Sequence, residues 1–395
     1  MDLGYDPPES FRHALDQAHQ IVSREVGSDD FGAGDYLPGL KVLLQSMDYD
    51  PHFSITGRRI AWGMVIGVLR GRAQAIQSMK QHRGFDAHAI RSPVVITGVP
   101  RTGTTALHRL MAVDRRFQGL QTWLLDSPMP RPPIETWKDF LEFQRTAAAL
   151  DAQYAAAPEK RAAHHRAAEE VHECCMVLRQ SFVSNLWTCA WSAATYDAWW
   201  QCQSEAAAYR HFYRCVQLIG SNEPHTRWLL KNPGHIDQLD LLFALFPDAK
   251  VIQTHRDPAK ALPSLVSLLM QLNALTEDGR REQRAENMLV REVAKWANAV
   301  RKAERVRACN PGQVIDVIHA DFHRDPMSVL ERIYAFIGMQ ISGELRALFE
   351  RRIREKPELS HGEHRYSIAA YGMSEAQARE PFEEYIRRYD LVRAR

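Results

Sequence analysis

Four short apolar runs, VVIT at 94–97, RWLL at 227–230, KVIQT at 250–254 and VIDVI at 314–318, are each followed by a stretch with helical apolar spacing. Nothing else in the chain constrains its fold as strongly. The helical stretches are TALHRLMAV, HIDQLDLLFALF, AKALPSLVSLLMQL and PMSVLERIYAFI. Short apolar runs bounded by Pro, Gly or Asp read as strands buried on both faces, where strict alternation is not needed. Strand followed by helix, repeated, predicts an α/β fold: an open parallel sheet with helices on both faces. Ligands of such sheets bind outside the C-terminal strand ends.

Residues 1–90 carry helical spacing over 10–27 and 56–84, interrupted by the Gly/Pro-rich DDFGAGDYLPGL, and predict an N-terminal helical segment. Residues 91–395 then form the α/β domain, with a helical insertion rich in Trp and Tyr over about 135–220. In that insertion Trp187 and Trp191 stand one helical turn apart, which means core packing by default and a wall of an apolar acceptor pocket otherwise. With 45% hydrophobic residues, a chain of 395 can bury a sizeable core.

Lys plus Arg number 50 against 48 for Asp plus Glu, so no nucleic-acid partner is expected and any bound anion needs a local site. The N-terminus, MDLGYDPPESFRHALD, is acidic and polar where a secretory leader is basic and then apolar. The apolar stretch AWGMVIGVL at 61–69 is far short of the roughly 20 residues that span a bilayer. Six cysteines without a C-x-x-C pair read as reduced thiols. A cytoplasmic protein with no transmembrane segment is expected, and a homodimer is left open.

The loop GVPRTGTT at 98–105 follows the first of those strands. Gly98 and Gly103 keep the glycine spacing of a Walker loop, but its lysine position is Thr104 and the cation inside the loop is Arg101. Small residues let backbone N–H groups turn inward as an anion nest, and the following helix adds its positive end. Thr102, Thr104 and Thr105 add hydroxyls and Arg101 a forked cation. ATP-dependent phosphoryl transfer wants the loop lysine and a carboxylate after a strand for Mg²⁺. Here the strand KVIQT runs instead into HRDP.

The stretch VVITGVPRTGTTALHRL resembles the 5′-phosphosulfate loop of sulfotransferases that use 3′-phosphoadenosine 5′-phosphosulfate (PAPS). The segment Arg101-Thr102-Gly103-Thr104-Thr105 stands where more distant relatives have Lys-Ser-Gly-Thr-Thr. A second family feature is an Arg at a strand end with a Ser eight residues later, matched by Arg256 and Ser264 in THRDPAKALPS. Alone that spacing usually means a salt bridge. Behind the 98–105 loop, the resemblance implies that both residues hold the 3′-phosphate distinguishing PAPS from ATP. It covers about residues 90–370 and is similar to the broad bacterial group of the family, with a P-loop-type core.

The same resemblance implies sulfuryl transfer to a hydroxyl or amine of a small-molecule, lipid, glycolipid or carbohydrate acceptor, without a metal. Lys231, after the strand in RWLLKNPGH, resembles the family's lysine beside the leaving group. The histidine many relatives carry two residues later is replaced by Pro233, so His235 is the first candidate base, with a buried or capping role equally open. Glu173 in AAEEVHECCMVL is the second; Glu169, His172 and Glu173 are expected on one helix face. Asp126 in TWLLDSP is the third, although Leu124 follows the Trp where relatives often have Glu. Glu169 and His172 are half of a di-iron motif, but no matching second half is found. HGEHRYS at 361–367 resembles the loop closing over PAPS, with Arg365 as a further 3′-phosphate ligand and Tyr366 against the adenine. Two rival readings stay open: a P-loop phosphotransferase using ATP, and a non-catalytic protein that binds an adenosine nucleotide.

Overall fold

The computed structural model describes residues 4–156, 167–279, 281–355 and 368–392. Two compact units are present. One comprises Met1–Ile90, Leu120–Thr226 and Gln271–Gly279, and the other Arg91–Gly119, Arg227–Met270 and Arg280–Arg395.

The second unit contains a five-stranded parallel sheet ordered β2-β3-β1-β4-β5. Its strands are β1 (Val94–Gly98), β2 (Phe117–Gln118), β3 (Arg227–Lys231), β4 (Lys250–His255) and β5 (Val314–Ile318). The four expected strands are all present, and β2 is a short fifth at the edge. Every residue of β1 is buried, as befits a central strand covered on both faces. Val94, Ile96, Leu229 and Ile252 pack in one core with Leu107 and Met111 of the helix Thr104–Met111 and with Leu330 and Ile333 of the helix Pro326–Phe336. Fully burying such side chains contributes about 1.5–3 kcal/mol each.

The first unit is helical, built on Leu15–Val26, Leu37–Tyr49, Ile55–Gln81 and Ala206–Gly220. The helix Leu37–Tyr49 starts inside the stretch expected to break. Pro38 falls in its first turn, where the missing N–H costs nothing. Gly39 is required there, because a Cβ would lie 2.1 Å from the Phe182 carbonyl oxygen. Trp187 and Trp191 are 1% and 0% exposed, the first stacked on Phe182 with ring centroids 5.3 Å apart, so both are core residues of this unit. Among the described residues, no helix is long and apolar enough to cross a membrane.

Candidate functional site

Four adjacent strands of the second unit deliver polar groups at their C-terminal ends. β1 enters the 98–105 loop, β3 ends in Lys231, β4 is followed by Arg256, and β5 by His319. Because the strands are parallel, these ends share one edge of the sheet. It is the edge where ligands of open α/β sheets bind.

The loop is shaped by its backbone. Gly98 has φ 147°, and a Cβ there would lie 2.5 Å from the carbonyl oxygen of Thr254 on the neighbouring strand. Gly103, at φ 93°, caps the helix Thr104–Met111. Between them Arg101 takes φ 69°, which costs a residue with a Cβ about 1–2 kcal/mol. Thr102 holds the turn from inside: its Oγ1 donates to the Val99 carbonyl at 2.7 Å and lies 2.5 Å from Thr254 Oγ1. Thr104 is buried, while Thr105 is exposed and its Oγ1 accepts from Lys231 Nζ at 3.1 Å.

The two stretches that carry the resemblance meet in space. Arg101 Nε donates to Ser264 Oγ at 3.2 Å, across 163 residues of sequence. Arg256 Nη1 donates to the main-chain oxygen of Arg101 at 2.9 Å. Burial, and then the charge of Arg101, lower the pKa of the Arg256 guanidinium, with Asp257 opposing. His319 joins the same cluster. Burial first, then Arg256, His323 and Arg101, push its pKa down to about 2. The His319 and His323 ring centroids are 4.1 Å apart, and a Cβ on Gly103 would touch His319 Cδ2 at 3.4 Å. Like charges gathered at a partly desolvated sheet edge favour an incoming anion. Sequence reasoning missed His319, although its position directly after the strand VIDVI was available as a signal.

Lys231 is 1% exposed, held at the end of β3. His235, in the 3₁₀ turn Pro233–Gln238, is 0% exposed, and burial pushes its pKa down to about 3. That ring is neutral and enclosed.

Glu173 and Asp126 belong to the first unit. The expected shared helix face of Glu169, His172 and Glu173 is absent, because this segment is not helical. Val171 forms an antiparallel bridge with Gln121, His172 N donates to the Leu120 carbonyl at 2.7 Å, and Thr122 N to that of Glu170 at 2.9 Å. These backbone bonds hold residues 171–173 out of helix after a turn at 168–170, and helix begins at Cys175. The stacked spacing a di-iron half-motif needs is therefore missing. The Glu173 carboxylate accepts from Cys175 Sγ at 3.7 Å, and Asp126 pairs with Arg179 at 3.2 Å. Arg365 and Tyr366 lie outside the described residues.

A parallel sheet whose first loop forms this cradle defines an α/β protein of the P-loop type. A family model described as "Sulfotransferase family" matches residues 93–343, and the chain belongs to that family. It is similar to the omega-hydroxy-beta-dihydromenaquinone-9 sulfotransferase Stf3 of Mycobacterium bovis, with 26% identity over 62% of this chain. That match spans 63% of the relative's length. The crystal structure of sulfotransferase STF1 from Mycobacterium tuberculosis H37Rv superposes with a TM-score of 0.83 at 32% identity, covering 94% of this chain and 98% of that one. The crystal structure of sulfotransferase STF9 from Mycobacterium avium shares the fold, with a TM-score of 0.86 at 23% identity and 98% coverage of both chains.

Proposed function

We propose that the protein transfers the sulfuryl group of PAPS to a hydroxyl of an apolar, lipid-like acceptor. The observation carrying this reading is the convergence of Arg101, Ser264 and Arg256, which puts two guanidiniums and a hydroxyl where β1 and β4 end. The loop amides, Arg101 and Thr105 hold the 5′-phosphosulfate, and Arg256 and Ser264 hold the 3′-phosphate.

The acceptor oxygen bonds to sulfur as the sulfur–oxygen bond to the 5′-phosphate breaks, leaving a sulfate ester and adenosine 3′,5′-bisphosphate. Lys231 stabilises the negative charge that develops on the departing phosphate oxygen. The acceptor proton passes to a base. His235 and Glu173 are the two candidates, the first enclosed and the second partly exposed. The lipid-like acceptor is supported by the substrate in the printed name of the Mycobacterium bovis relative.

Incubation with sulfur-labelled PAPS and a panel of hydroxylated quinones, sterols and sugars tests the reading. Label should move to an apolar alcohol and be lost with Lys231→Ala. Label transfer to no acceptor, together with phosphoryl transfer from ATP, would overturn it.

A further inference from the structure

Arg256 sits between two residues that are both tied to the C-terminal segment. On one side, the Asp257 carboxylate accepts both Nε and Nη2 of Arg379, at 3.1 and 2.6 Å. The same carboxylate accepts the Ala259 N–H at 3.0 Å, in the first turn of the helix Pro258–Asn273 that carries Ser264. A bidentate pair to a carboxylate 4% exposed is geometrically exacting.

On the other side lies His255, 0% exposed. Its Nε2 bonds Asp316 Oδ1 at 2.8 Å, its Nδ1 bonds the Tyr385 hydroxyl at 3.0 Å, and its ring stacks on Tyr389 at 3.9 Å. The Asp316 carboxylate fixes the tautomer, so His255 donates from Nε2 and accepts the Tyr385 proton at Nδ1. The backbone N–H of Arg256 faces the Tyr385 hydroxyl closely enough to oppose the rise that burial gives its pKa. One tyrosine thus bonds the neighbour of the arginine and lies against the arginine's main chain. Phosphate recognition by the Arg256 fork depends on where that main chain stands, and misplacement of about 1 Å can cost 10²-fold.

We propose that Arg379 and Tyr385 are positioning residues for Arg256, making the C-terminal segment 375–389 a determinant of selectivity for a nucleotide bearing a 3′-phosphate. This rests on the assignment of Arg256 to that phosphate. Neither residue needs to touch the nucleotide. Removing either brace loosens the 3′-phosphate end, while the bonds that hold the 98–105 turn from inside, Thr102 to Val99 and to Thr254, stay in place.

Calorimetry on the full chain, with adenosine 3′,5′-bisphosphate and adenosine 5′-monophosphate as the probes, separates the two ends. Arg379→Ala and Tyr385→Phe should each lower the preference for the bisphosphate by about tenfold while the monophosphate affinity stays within about twofold. Arg379→Lys should restore part of the preference. Tyr385→Phe keeps the ring packing, so it serves where Arg379→Ala does not fold. A preference in the unmutated protein that survives both substitutions would overturn this inference alone. Equal weakening of both nucleotides would also overturn it, since that is the mark of general loosening. No preference in the unmutated protein would overturn the assignment of Arg256 and this inference with it.

Discussion

The guanidinium of Arg256 donates to the main-chain carbonyl of Arg101 at 2.9 Å, so backbone ties the end of β4 to the loop after β1. Truncating the Arg101 side chain leaves that carbonyl in place. Arg101→Ala should therefore weaken adenosine 3′,5′-bisphosphate by about 1.5–3 kcal/mol, the range of a charge-assisted bond, without loosening Arg256. Calorimetry giving an unchanged affinity would remove Arg101 from the site.

Gly98 is the least replaceable residue of the loop. At φ 147°, with the Thr254 carbonyl oxygen 2.5 Å from any Cβ, an alanine must displace β4 or reshape the turn. Gly98→Ala should cost about 1–3 kcal/mol of stability and abolish measurable nucleotide binding. Urea unfolding and calorimetry report the two effects. Normal binding by a stable Gly98→Ala protein would show that the loop needs no close approach.

Lys231 should matter more to turnover than to binding. Its ammonium is buried beside Thr105, and in our reading it meets charge that appears only as the sulfur–oxygen bond breaks. Lys231→Ala should cut kcat by about 10²–10³. A drop confined to nucleotide affinity would make it a binding residue only. In the same assay, Glu173→Gln should lose about 10²-fold in kcat, and full activity would exclude Glu173 as the base.

Three imidazoles, those of His108, His211 and His235, are each pushed down to about 3 by burial. In the unfolded chain they take up protons near pH 6.5. The folded pKa values are depressed, so their contribution is complete above about pH 6.5 and is lost as pH falls through the window toward 3. Each proton bound only by the unfolded chain lowers stability by about 1.4 kcal/mol per pH unit. Urea midpoints should be clearly lower at pH 5 than at pH 7. Equal midpoints would mean that these rings are solvated.

The strands were legible because each is a short apolar run bounded by Pro, Gly or Asp, and β1, β3, β4 and β5 fall on those runs. β2 was not, since Phe117–Gln118 is too short to leave a pattern and exists by pairing with β3. The helical spacing around Glu169–Glu173 misled because backbone bonds to Leu120–Trp123 compete with the helix, and those partners are distant in sequence. The site divides the same way. Arg101, Arg256 and Ser264 were singled out by resemblance to family motifs, not by spacing alone, and the structure brings the three together. His319 was marked only by its place directly after VIDVI, and it lies near them because β5 pairs with β4. Arg379 and Tyr385 are equally remote in sequence from the arginine they flank.

The most direct measurement compares adenosine 3′,5′-bisphosphate with ADP on the unmutated protein by calorimetry. In our reading Arg256 and Ser264 give a 3′-phosphate its own partners, so the bisphosphate should bind at least about tenfold tighter, and Arg256→Ala should erase most of that margin. Equal affinities, or tighter binding of ADP when Mg²⁺ is added, would contradict a PAPS-dependent sulfotransferase.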